Sequence, residues 1–95
     1  MKTIILSKHA QEKLSERFSK EIKVNMDLIR QVILEPDFTE RDKNYAEVVH
    51  SVKKVGNRYL RVIFKEEGNV IKVVTFFYDR KIKRKLRRKQ NDDKI

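Results

Sequence analysis

Apolar residues recur every fourth position near the start of the chain, at Leu6, Ala10, Leu14 and Phe18, with charged residues between them. This spacing lays one narrow apolar stripe along a helix from Ser7 to Phe18, and the Ser7 hydroxyl suits its N-cap. A second helical run, Met26, Leu28, Ile29, Val32 and Ile33, follows Asn25, a capping residue, with Asp27 supplying acid to the first turn. Glu35-Pro36 should end it, because a residue before proline is pushed out of the helical region.

Beyond Pro36 the period changes from helical to alternating. The segments Phe38 to Arg41, Ala46 to Val55, Arg58 to Lys65 and Val70 to Tyr78 are rich in Val, Ile, Phe and Tyr and are expected to be strands. Both glycines precede asparagine, in Gly56-Asn57 and Gly68-Asn69, where a tight hairpin needs positive φ. A two-residue loop at Gly56-Asn57 pairs Val55 with Arg58 and Val52 with Arg61. A turn over Glu66 to Asn69 pairs Lys65 with Val70 and Ile63 with Lys72. Alternation then turns Leu60, Val62, Phe64, Ile71, Val73 and Phe77 toward the helices. The other face receives His50, Lys54, Tyr59, Arg61, Lys65, Lys72, Phe76 and Tyr78. The expected fold class is α+β: two N-terminal helices packed on one face of a 3-4-stranded antiparallel sheet. Residues 1–79 form this domain, and 80–95 are a basic C-terminal tail or short helix.

Composition narrows the function classes. A chain of 95 residues has room for one hydrophobic core. It contains no Cys, which excludes a disulfide scaffold and a thiolate metal site. Its first apolar run, between lysines, is too short for a signal peptide or a membrane span, so a cytoplasmic setting and no membrane partner are expected. The net charge of +10 is unevenly placed. Residues 1–47 hold nine Lys/Arg and nine Asp/Glu, whereas residues 48–95 hold fifteen and five. Such segregation points to an anionic partner, RNA above all.

On the inferred cationic face, Lys54, Lys65 and Lys72 are placed to neutralise phosphates. Tyr59, Phe76 and Tyr78 are placed to stack on unpaired bases. The tail adds Lys81, Lys83, Arg84, Arg87 and Arg88, while its stripe of Ile82 and Leu86 is too thin for strong membrane insertion. Metal-free phosphodiester cleavage needs a base for the 2′-hydroxyl, cations for the developing charge and an acid for the leaving oxygen; His50, Arg61, Lys72 and Tyr78 are of the right types. His9 and Arg17 lie about two turns apart on the first helix, and backbone hydrogen bonding at the helix–sheet junction accounts for them better than a site does. Neither a metal-ligand spacing nor a phosphate-binding glycine loop is present, so no cofactor is expected.

The run Ser7-Lys8-His9-Ala10 with Arg17, the helix ending in Glu35-Pro36, and the strands Tyr59-Leu60-Arg61-Val62-Ile63 and Val70-Ile71-Lys72-Val73-Val74-Thr75 carry a family resemblance. They resemble a small uncharacterised-domain family of the RelE/ParE toxin superfamily, over roughly residues 4–80. The resemblance implies a RelE-like fold, and ribonuclease members of that superfamily cleave messenger RNA, often on the ribosome, without a metal. By that resemblance Arg61 is the sheet arginine and Arg80 the arginine after the last strand. The tyrosine that such members carry near the C-terminus is missing after Arg80, unless Tyr78 fills its role. ParE-like members act on gyrase instead. Three readings follow: a metal-independent endoribonuclease using Arg61, Arg80, His50 and Tyr78; a non-catalytic RNA- or ribosome-binding module; and a partner of a small acidic antitoxin.

Overall fold

The computed structural model of the chain describes residues 2–15 and 24–82. Its elements are β1 (Thr3–Leu6), α1 (Lys8–Ser15), α2 (Met26–Leu34), β2 (Phe38–Arg41), β3 (Val48–Val55), β4 (Arg58–Glu67) and β5 (Val70–Tyr78). They form one five-stranded sheet in the order β1-β5-β4-β3-β2. The expected 3-4-stranded antiparallel sheet is therefore corrected to a five-stranded mixed sheet: Thr3 to Leu6 precede both helices and pair in parallel with Val70 to Val73 of β5. Leu6, assigned to the helix stripe from its spacing, belongs to this strand.

Local chemistry sets the element ends. Ser7 caps α1 through its Oγ, which accepts from the Ala10 N–H at 3.1 Å. Its hydroxyl in turn donates to the Val74 carbonyl, tying the strand-to-helix turn to β5. Asn25 caps α2 by accepting from the Leu28 N–H at 2.9 Å. At the other end Glu35 leaves the helical conformation before Pro36, and Lys53 Nζ donates to its carbonyl. Phe18 and Arg17 lie outside the described residues, as does the chain beyond Ile82.

Both described helices pack on one face of the sheet. Ala10, Val24, Ile29, Val32 and Ile33 meet Leu60, Val62, Phe64, Ile71, Val73 and Phe76 in a continuous core. Ser51, on the same face as its partner Val62, is fully buried, and its hydroxyl has no hydrogen-bond partner among the described residues. Gly56 and Gly68 have φ near +60°, as tight hairpins require.

Register along β3 and β4 is the expected one, with Val55 opposite Arg58 and Val52 opposite Arg61. Between β4 and β5 it differs. The second hairpin turns on Gly68-Asn69 alone, so Glu67 faces Val70 and Lys65 faces Lys72. A bulge then leaves Val74 without an opposite residue: Phe64 pairs with Val73, but Ile63 pairs with Thr75. One extra residue inverts the alternation from there onward. Phe76 lies in the core and Tyr78 packs against it, while Phe77 turns to the opposite face, reversing the expected placement of all three. No described helix is long and apolar enough to cross a membrane.

Candidate functional site

The face away from the helices brings together most of the residues singled out for chemistry. The register places Lys54 beside Tyr59, His50 beside Ile63, Arg61 between Val52 and Phe77, and Lys65 beside Lys72. Glu40 of β2 joins them, opposite His50. Tyr78 does not. It lies through the sheet from His50, with the Arg58 guanidinium over its ring at 5.4 Å, so the grouping of Tyr78 and Phe76 with His50 and Arg61 is overturned. Lys54, Lys72, Arg80 and Lys81 are exposed, whereas Tyr59 and Lys65 are half-buried. His9 is exposed on α1, while Arg17, Lys83, Arg84, Arg87 and Arg88 lie outside the described residues.

At the centre of this face runs a chain of hydrogen bonds through five charged or titratable side chains. Arg61, on β4 and only 8% exposed, donates from Nε to Asp79 Oδ2 at 2.8 Å. Its Nη1 donates to His50 Nδ1 at 2.8 Å and makes a longer contact of 3.4 Å to Glu40 Oε2. His50 Nε2 meets Asp42 Oδ1 at 2.9 Å. An arginine has no acceptor, so His50 Nδ1 must carry the lone pair; Nε2 then carries the proton and donates it to Asp42. This arrangement assigns one tautomer and occupies both ring nitrogens.

The surrounding backbone fixes the outer members. Asp79 Oδ1 accepts the Lys81 N–H, and the Asp79 N–H donates to the Tyr59 carbonyl, which holds the first residues after β5 against β4. Asp42 Oδ2 accepts the N–H groups of Asn44 and Tyr45 and so shapes the loop between β2 and β3. The Asn44 N–H foremost, then the His50 hydrogen bond, lower the Asp42 carboxyl below the usual carboxylate range; partial burial opposes them less strongly.

The electrostatic sum is not the one expected from the cations alone. Among the described residues, one arginine faces the carboxylates of Asp79, Glu40 and, through His50, Asp42, so acids crowd the centre of the face. Sequence reasoning found the arginine and the histidine and missed all three acids. The available signal was pairing: the β2–β3 register sets Glu40 beside His50, and Asp79 directly follows the strand that flanks Arg61.

Among the described residues, the lysines of this face that make no ion pair sit at its two ends. Lys54 and Tyr59 lie at the Gly56-Asn57 end, and Lys65 and Lys72 lie roughly 20 Å away along β4, at about 3.3 Å per residue. Lys65 and Lys72 are directly opposite each other, and neither has an ion-pair partner among the described residues. Like charges in that relation repel. Among the described residues no three His, Cys, Asp or Glu side chains converge as a metal site. Comparison of the chain with protein-family models, with curated proteins and with solved structures finds no match in any of the three.

Proposed function

We propose that the chain is an RNA-binding protein that takes phosphates on the sheet face away from its helices, with Lys65 and Lys72 as its principal cations. The observation that carries this reading is the Lys65–Lys72 cross-strand pair: two lysines directly opposite in the register, with no ion-pair partner among the described residues, an arrangement that a bridging anion turns from repulsive to attractive. Lys54 and Tyr59 extend the surface at the other hairpin, and residues 83–95 add seven Lys/Arg in sequence. The resemblance to the RelE/ParE superfamily belongs to the same proposal, with the ribosome as one source of the RNA. A small acidic protein partner competes for the same lysines.

A catalytic version has one observation in its favour, the direct hydrogen bond between Arg61 and His50. It requires Arg61 to exchange Asp79 or Glu40 for a scissile phosphate, with Arg80 as the second cation and without Tyr78 beside them. Binding without cleavage fits the resting geometry better.

Anisotropy of a labelled RNA oligonucleotide across a salt series tests the proposal. Affinity should fall steeply with salt, and Lys65→Ala or Lys72→Ala should each flatten the logarithmic slope by about 0.7 to 0.9. Lys8→Ala, on the helix side, should leave the slope unchanged. Binding insensitive to the Lys65/Lys72 double substitution would refute the assignment of this face. Release of RNA fragments in chelator, abolished by His50→Ala in a folded protein, would favour the catalytic version.

A further inference from the structure

We infer that His50 is a proton-operated latch joining the β2–β3 loop to the buried arginine of the sheet. Its Nε2 already bears a proton and its Nδ1 receives one of the Arg61 N–H groups. A second proton can enter only at Nδ1. Once there, an imidazolium N–H faces a guanidinium N–H across 2.8 Å, donor against donor and cation against cation. The two side chains must then part.

The fold decides which of them moves. Arg61 is buried and keeps Asp79 through its Nε and Glu40 through its Nη1. His50 keeps Asp42, whose carboxylate belongs to the loop and also holds the Asn44 and Tyr45 N–H groups. Among the described residues, the charged groups joined to the imidazole or to its arginine are Glu40 from β2, Asp42 from the loop and Arg61 from β4, with Asp79 behind the guanidinium. Because the loop residues 43–47 are exposed and Asp42 stays ionised, the loop side yields, carrying with it Tyr45, an exposed aromatic. Acidification thus moves the loop and leaves Arg61 Nη1 one acceptor short on the face proposed to meet RNA. The latch itself rests on the hydrogen-bonded chain and stands whether or not RNA binds.

Amide NMR of the wild-type protein between about pH 8 and pH 5 tests it, because histidine titrates in that window and carboxylates titrate lower. The Asn44 and Tyr45 amides and the Arg61 Nε–H should shift together, in one step. His9 is exposed on α1, and a His9→Gln variant, the control, should leave the shared shift unchanged. In His50→Gln the shared step should vanish. Amides of Asn44 and Tyr45 that stay fixed across the whole pH series would overturn the latch. The wild-type titration decides the matter even where the variant fails to fold.

Discussion

Replacing Arg61 with alanine should cost this protein a large part of its stability, which bears on every use of that variant as a functional control. The side chain is 9% exposed and its partner Asp79 13%, so the substitution strands a carboxylate away from water and leaves His50 Nδ1 without its donor. Breaking one side of such a pair costs about 3–5 kcal/mol. Asp79 retains the Lys81 N–H and His50 retains Asp42, which favours the lower end, about 3 kcal/mol. For a domain this size each kcal/mol moves the melting temperature by about 4–8 °C, giving a drop of roughly 12–24 °C. Urea denaturation followed by circular dichroism measures the loss directly. The Arg61→Ala/Asp79→Asn double variant should lose about 1–3 kcal/mol less than the sum of the single losses, since the stranded carboxylate is gone. An Arg61→Ala protein within about 0.5 kcal/mol of wild type would show that the pair contributes no more than a surface ion pair and would refute the reasoning.

Two further outcomes are expected. Ser51→Ala removes a fully buried hydroxyl with no described partner, so it should be neutral or stabilising by up to about 1 kcal/mol in the same denaturation assay. A loss above about 1 kcal/mol would reveal a partner for that hydroxyl. Asp42 has a carboxyl lowered in the folded state, so its contribution is fully present above the ordinary Asp value of about 3.9 and is lost as pH falls through the lower folded value. Stability should therefore decline in that acid window for the wild type, and Asp42→Asn should decline less. Parallel curves would remove Asp42 as a source of the decline.

Much of the architecture was legible because local signals agreed. Ser7 and Asn25 cap the helices, Pro36 follows the end of α2, and the alternating runs are strands bounded by Gly-Asn turns. What escaped has physical reasons. Strand β1 has only three apolar residues before α1, and its partner is parallel and more than sixty residues distant, so no turn announces it. The bulge at Val74 is likewise silent in the sequence: Val, Thr, Phe and Phe alternate equally well in either phase, and only packing under α1 selects Phe76 for the core. That one residue separates the expected aromatic pair, Phe76 and Tyr78, from the cations. The neutralising acids escaped because charge was summed along the chain, whereas Glu40 and Asp79 reach Arg61 across strands.

The central claim concerns which surface meets RNA. Chemical-shift mapping of isotope-labelled protein titrated with an RNA oligonucleotide tests it most directly. The largest changes should fall on β4 and β5 around Lys65 and Lys72, extending toward Tyr59 and Lys54, with Lys8 and Arg30 on the helices little affected. Changes concentrated on α1 and α2, or a protein whose spectrum RNA leaves untouched at low salt, would contradict the account.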